Sequence, residues 1–289
     1  MPSLSLPALS RRAFTATVLP VAGALVRAAA PLERWAFLSD THVPSHPTAE
    51  YRGFRPYENT MKVVAQLHQA KPDGALICGD LARLEGQLGD YENLKALLDP
   101  LATEVPIAYV LGNHDHRKNF LRVFPRHEGA QQVKDKHVVV LETPTVRFIL
   151  LDSLFLVNQV AGLLGKAQRL WLAQFLANAS ARPTLLFVHH TLDDGDGALL
   201  DAPRLFDIVQ PARMVKAIIY GHSHAYGFRK EGDLDLINIP AVGYNFSDNH
   251  PVGWIEARVT REGGEFTLHA IGGDRSRNGE TTKLRWRAS

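Results

Sequence analysis

Five short polar motifs, strung in a fixed order over about 185 residues, constrain this chain more than any other feature. They read Asp40-Thr41-His42, Gly79-Asp80, Gly112-Asn113-His114-Asp115, His189-His190 and Gly221-His222-Ser223-His224. Each of the last four directly follows an apolar run of strand length, and the first follows the mostly apolar Trp35-Ala36-Phe37-Leu38-Ser39. The ends of buried strands are where an open α/β sheet gathers its ligand-binding groups. A fold that suits this pattern brings five strand ends to one place.

The rest of the chain agrees with that requirement. Apolar runs at 35–38, 75–78, 107–111, 137–141, 147–151, 184–188 and 215–220 predict strands. Between them, 57–69, 91–98 and 165–178 carry the three-and-four spacing of amphipathic helices. In the last, Leu170, Leu172, Phe175 and Leu176 are expected to form a buried stripe around Trp171. After Gly221 the pattern turns to strands at 234–239, 254–259 and 265–271, expected to form a second sheet on the first. The fold class is therefore α/β: a layered αββα sandwich of two mixed β-sheets flanked by helices, with the polar motifs at the C-terminal strand ends. One domain from 31 to 289 is expected, with the polar tail 273–289 left over the surface or poorly ordered.

The first 30 residues read differently. Ser10-Arg11-Arg12-Ala13-Phe14 precedes a moderately apolar stretch from Ala16 to Val26, then Arg27 and three alanines. That is the layout of a cleaved export signal, and the paired arginines resemble the twin-arginine type. Its expected partner is the twin-arginine export machinery, and its expected destination is the periplasm or the extracellular space. Removing residues 1–30 takes away three arginines and no acid, so a net charge of +2 drops by three to −1. No cluster of Lys and Arg interleaved with aromatics stands out, and double-stranded nucleic acid is not an expected partner. The single cysteine, Cys78, lies in an apolar run and excludes an intramolecular disulfide.

The motifs carry metal-ligand chemistry. Asp40 and His42 offer one hard oxygen and one imidazole from a single turn, a mixture that suits iron, manganese or zinc better than magnesium or calcium. Asp80 can bridge two cations with its two oxygens, and Asn113 adds a neutral carbonyl oxygen. His189, His222 and His224 supply imidazoles. Alternate residues of an extended segment diverge, so a turn at Gly221 is expected to let both His222 and His224 reach the site.

These motifs resemble the calcineurin-like metallophosphoesterase family, whose signature runs Asp-x-His, Gly-Asp, Gly-Asn-His-Asp or Glu, His, and Gly-His-x-His. The match covers 37–224. It implies two metal ions, divalent or of mixed valence. One would be held by Asp40, His42, Asp80 and His224, the other by Asp80, Asn113, His189 and His222. It also implies that His114 is a catalytic group outside the ligand set, with Asp115 orienting it, and that a metal-activated hydroxide hydrolyses a phosphoester. Asn113, His190 and Arg117 are the candidate substrate contacts.

A looser similarity extends from Leu151-Asp152-Ser153 through Gly162, Gln168 and Trp171-Leu172 to His189-His190. It is similar to the branch holding class III cyclic-nucleotide phosphodiesterases and glycerophosphodiesterases, which implies a small phosphodiester as substrate. Thr191-Leu192 after the paired histidines and Leu81-Ala82-Arg83 after Gly79-Asp80 depart from that branch. Two aromatic loops, one at 43–59 with Tyr51, Arg52, Phe54, Arg55 and Tyr57, the other Gly243-Tyr244-Asn245-Phe246, are candidates to roof the site. A phosphomonoesterase and a non-catalytic binding protein on the same fold are the competing expectations.

Overall fold

A computed structural model describes residues 32–288. The proposed export signal lies outside them.

The first three expected strands form β1 (Glu33–Leu38), β2 (Gly74–Cys78) and β3 (Ile107–Val110), which run parallel. Helix α1 (Pro56–Ala70) connects β1 to β2; Pro56 opens it and Lys71 closes it in the left-handed region at φ 49°. Helix α2 (Leu88–Ala102) starts three residues before its apolar spacing, because Asp90 accepts a hydrogen bond from the backbone N–H of Gln87 at 3.2 Å. A short helix α3 (Arg117–Val123) follows the third motif.

The middle of the chain builds a second sheet. Strands β4 (Val139–Glu142), β5 (Arg147–Leu150), β6 (Thr184–Phe187) and β7 (Val215–Tyr220) pair in that order, with helix α4 (Gly165–Asn178) between β5 and β6 and helix α5 (Ala202–Val209) between β6 and β7. Within α4 the expected stripe is shifted: Leu172 and Leu176 are buried, whereas Leu170 is 53% exposed. The chain after Gly221 does not form a sheet of its own, contrary to expectation. Strands β8 (Gly227–Glu231) and β9 (Leu234–Asn238) complete the second sheet; β10 (Pro251–Val259) and β11 (Gly263–Gly273) return to the first.

The tail is also ordered. Strand β12 (Thr281–Arg285) pairs antiparallel with β11, and Trp286 and Arg287 beyond it are buried. Its alternation of polar residues suits an edge strand with one face in water. The Arg287 guanidinium donates to the carbonyls of Val209 and Ala212 at 2.7 and 3.1 Å, where α5 has run out of internal donors.

The sheets run β12-β11-β10-β1-β2-β3 and β4-β5-β6-β7-β9-β8. Side chains alternate across each strand. Thus Trp35 and Phe37 face the second sheet, where they meet Phe148 and Phe187 at ring distances of 4.7 and 4.9 Å. Ala36, Leu38 and Ile77 face α1 and α2, while Leu172 and Leu176 pack outside the second sheet. The result is the expected four-layer αββα sandwich, and the C-terminal ends of β1, β2, β3, β6 and β7 open on one edge.

Candidate metal centre

Backbone hydrogen bonds lace the motif loops together at that edge. Asp40 and His42 donate N–H to the carbonyls of Gly79 and Asp80 at 3.0 and 2.9 Å, and Gly221 donates to His189 at 3.0 Å. Asp40, His42, Asp80, His222 and His224 all hold positive φ, between 45° and 68°. Five non-glycine residues in the left-handed region within one site mark a backbone bent to aim side chains inward. The expected role of Gly221 changes accordingly. The left-handed turns belong to His222 and His224, and Gly221 is needed for space, since a Cβ there would collide with Ser39 and Asp40. A Cβ on Gly112 would likewise strike the Asp80 carboxylate.

The side chains so aimed form two trios able to hold a cation each: Asp40, His42 and His224, and Asp80, His189 and His222. Asp80 reaches both. Its Oδ2 lies 3.7 Å from His42 Nε2 and 3.2 Å from His189 Nε2. Backbone carbonyls set the tautomers. Nδ1 of His42 donates to Arg83 at 3.2 Å, His189 to Cys78 at 2.8 Å and His224 to Tyr244 at 2.6 Å. A carbonyl only accepts, so each Nδ1 carries hydrogen and each Nε2 lone pair faces inward.

The structure offers its own test of whether metals fit. His42 Nε2 and His224 Nε2 stand 3.1 Å apart. Two nitrogens on one cation at about 2.1 Å would stand about 3.0–3.4 Å apart. Asp40 Oδ1, Asn113 Oδ1 and His189 Nε2 are buried with no hydrogen-bond partner. Buried polar atoms in proteins are usually paired; other unpartnered atoms occur in this structure, but these three converge from three motifs, and cations fit as their missing partners.

The electrostatics agree. Burial alone would raise Asp40, but His224 and His189 hold it well below the usual carboxylate range; Asp80 is held low in the same way, chiefly by His189 and His114. Burial lowers His42 to about 3 and His222 to about 4, keeping both neutral. Burial also opposes charge on His189, yet Asp80 and Asp40 outweigh it and raise its pKa to about 9. Anionic carboxylates and the neutral His42 and His222 are in the donor states a cation requires, and a cation at His189 would take the place of the proton that Asp80 and Asp40 favour there.

His114 stands beside this set. Its Nδ1 donates to Leu84 O at 2.8 Å, and its partly exposed Nε2 lies 4.0 Å from Asp80 Oδ2. Asp115 does not orient it, contrary to expectation. The Asp115 carboxylate is fully buried and accepts from the backbone N–H groups of Gly112, Leu81 and Ala82 and from Tyr91 Oη at 2.9–3.2 Å. It pins the Asp80 loop, and burial with the nearby Asp80 raises its pKa to about 7.

Two other candidate substrate contacts hold partners of their own. Arg117 forks onto the buried Asp152, with Nε and Nη2 each 2.7 Å from a carboxylate oxygen, and lines a groove separate from the two trios. His190 has no exposed surface; its Nδ1 meets Ser153 Oγ at 2.7 Å and Gly162 packs on its ring. Arg117 is tied into the scaffold, whereas the His190 ring lies 4.7 Å from that of His222 with its Nε2 buried and without a hydrogen-bond partner. Asn113 remains at the centre, its side-chain oxygen turned inward and its backbone carbonyl held by Asn158 at 2.7 Å. The carbonyls of Cys78, Arg83, Leu84 and Tyr244 had no signal in the sequence, since every residue carries one.

The sequence profile of the calcineurin-like phosphoesterases matches residues 34–226. The chain belongs to this family. Among curated relatives, the metallophosphoesterase domain is 28% identical over 234 residues to a probable cyclic nucleotide phosphodiesterase of Synechococcus sp., covering 78% of this chain and 87% of that one. It is also 28% identical over 218 residues to the 3',5'-cyclic adenosine monophosphate phosphodiesterase of Pseudomonas aeruginosa, covering 73% and 76%. Among solved structures, a dimetal phosphatase from Danio rerio superposes with a TM-score of 0.69 at 15% identity, over 89% of this chain and all of that one. A purple acid phosphatase from yellow lupin gives a TM-score of 0.63 at 15% identity, over 89% of this chain and 54% of that one. At that identity the superpositions establish the fold. The protein is thus a metal-dependent phosphoric ester hydrolase with two candidate metal-ligand trios.

Proposed function

We propose that this chain is a dinuclear-metal phosphodiesterase acting on small organic phosphodiesters. Asp40, His42 and His224 would hold one cation and Asp80, His189 and His222 the other, with Asn113 Oδ1 available to the second and Asp80 within reach of both. The observation that carries this reading is the convergence of the unpartnered Asp40 Oδ1, Asn113 Oδ1 and His189 Nε2 beside His114. The two relatives above, both named as phosphodiesterases of cyclic nucleotides, support the diester.

A pair of bound cations neutralises phosphate charge and makes water nucleophilic near neutral pH. The chain's own groups do the rest. Asn113 and the bent motif loops fix the position of the phosphorus centre. His114, its Nδ1 held by Leu84, presents Nε2 toward Asp80 from the accessible side. From there, with both ring nitrogens protonated, its Nε2–H would either hydrogen-bond a phosphoryl oxygen as charge develops or pass to the departing alkoxide, the neutral ring then regaining a proton from solvent. Asp115 keeps the Asp80 loop in register.

Rates on bis(4-nitrophenyl) phosphate and 4-nitrophenyl phosphate under matched conditions test the reading. A diester kcat/KM above that of the monoester is expected; a clear preference for the monoester would assign a phosphomonoesterase instead.

Export through the twin-arginine route is part of the same proposal. Arg11-Arg12-Ala13-Phe14 and the apolar stretch to Val26 support it. An exported enzyme meets diesters outside the cytoplasm, where hydrolysis yields a phosphomonoester and an alcohol. Replacing Arg11 and Arg12 by lysine is expected to leave the protein in the cytoplasmic fraction; unchanged periplasmic recovery would contradict this.

A further inference from the structure

The two trios differ in what their surroundings leave open. Over the first, the aromatic roof is taken up by its own contacts. Arg52 donates from Nε to Asn245 O at 2.9 Å and from Nη2 to Phe246 O at 2.7 Å. The Phe246 ring lies 4.2 Å from that of His224, and the Arg83 guanidinium lies 4.4 Å from the centre of the Tyr51 ring. Beside the second trio, the loop 155–160 instead turns three apolar side chains to water. Phe155 is 44% exposed, Leu156 56% and Val160 59%. Such a cluster is stable in water only at a cost, and it marks a place where something apolar is covered in use.

Two contacts put this loop at the metal centre. Asn158 donates its N–H to the carbonyl of Asn113 at 2.7 Å. At the far end, a Cβ on Gly197 would lie 2.7 Å from Val160 Cγ1 and 3.6 Å from His222 Nε2, so Val160 and that nitrogen flank one point. Gly197 spares the space a side chain would fill between them. The base of the loop is braced as well. Leu154 O accepts from Lys136 Nζ at 3.0 Å and from Arg117, and Leu163 donates its N–H to Ser153 O at 2.8 Å. The apolar side chains therefore stand on a held loop, next to groups whose task is to hold a phosphate. What covers them is what the phosphate carries.

We propose that Phe155, Leu156 and Val160 form the subsite for the ester arm that stays on phosphorus, and that this arm is an uncharged aliphatic group. The charge nearby agrees. Asp193, Asp194 and Asp196, all exposed, share a loop with Gly197 and disfavour an arm that carries further negative charge, such as a second phosphate. His114, assigned to the departing oxygen, is held by Leu84 on another loop, which leaves 155–160 to the retained arm. This rests on the phosphodiesterase reading of the site, which fixes where the phosphorus lies.

Initial rates of the metal-loaded protein on three 4-nitrophenyl diesters, with methyl, hexyl or choline as the second arm, keep one leaving group and vary only the retained arm. A fully buried methylene is worth roughly four-fold, so five more methylenes partly covered on an open rim give an expected hexyl-to-methyl ratio in kcat/KM of about ten-fold or more. In Phe155→Ser, Leu156→Ser and Val160→Ser that ratio falls toward one, with metal content and melting temperature those of the wild type, and Val160→Ile retains it. A wild-type ratio near one, or a ratio untouched by all three serine substitutions, would overturn the subsite. A choline ester cleaved faster than the hexyl ester would overturn it in favour of a cationic arm drawn by the three carboxylates. A changed oligomeric state with an unchanged ratio would make the loop an interface between copies instead. Equal hydrolysis of the methyl and hexyl esters sinks the subsite alone, whereas hydrolysis of none of the three sinks the phosphodiesterase reading and the subsite with it.

Discussion

Around the first trio, Asp40, His42 and His224 are all buried, and a latched aromatic roof lies over two of them. Around the second, Asp80 and His189 are buried but His222 is partly exposed, and the partly exposed His114 stands next to Asp80. The donors are of the same kind on both sides; what differs is what closes each one. Stacked rings close the first, and the Asp115-pinned loop with a solvent-accessible histidine borders the second. The difference teaches that like donor sets can be enclosed in unlike ways: aromatic rings cover the first trio, and the second keeps a solvent-accessible edge beside His114.

The largest expected effect comes from breaking either trio. His42→Ala and His189→Ala are each expected to lower bound metal from two ions to about one, with turnover down roughly 10³-fold. Metal analysis beside initial rates checks this, and a variant that keeps two ions removes that residue from its trio. His114→Ala is expected to lose roughly 10²–10⁴-fold in kcat without losing metal. A small change in kcat would assign its Nε2 to binding alone.

Supports of the two halves come next. Asp115→Ala strands the N–H groups of Gly112, Leu81 and Ala82 and the Tyr91 hydroxyl. A cost of about 3 kcal/mol is expected, read as a fall in Tm of roughly 6–10 °C in the loaded protein. If Asp115 instead oriented His114, kcat would fall with Tm unchanged. Arg52→Ala is the mildest: it unlatches the roof at Asn245 and Phe246. A several-fold rise in KM for a small phosphodiester with little change in kcat is expected, since the latch lies away from His114.

Much of the centre was legible before any coordinates. Motif chemistry and strand context point to Asp40, His42, Asp80, Asn113, His222 and His224, the family resemblance selects His189 over His190, and the structure brings them together. The alternating apolar runs also gave both sheets of the αββα sandwich, although not their membership. The runs 254–259 and 265–271 read as strands, but sequence periodicity carries no information on which edge a returning strand joins. The tail was misjudged because β12 is an edge strand with polar residues on one face, a pattern that locally looks like loop. The partners of Asp115 and Arg117 were illegible for a different reason. Both have side chains of the right chemistry next to the right motif, and only packing shows Asp115 taking backbone N–H groups and Arg117 taking Asp152. The positive φ angles at five candidate ligands were equally invisible, since none is glycine.

The central claim is that Asp80 joins two cations while His114 works beside them without holding either. Metal content per chain of the wild type, Asp80→Asn and His114→Ala, measured on the same preparations as diester turnover, tests it most directly. Two ions are expected in the wild type, one or fewer with lost activity in Asp80→Asn, and two with lost activity in His114→Ala. An Asp80→Asn protein that keeps two ions and full turnover would contradict the bridge, and a His114→Ala protein that loses an ion would place His114 among the ligands.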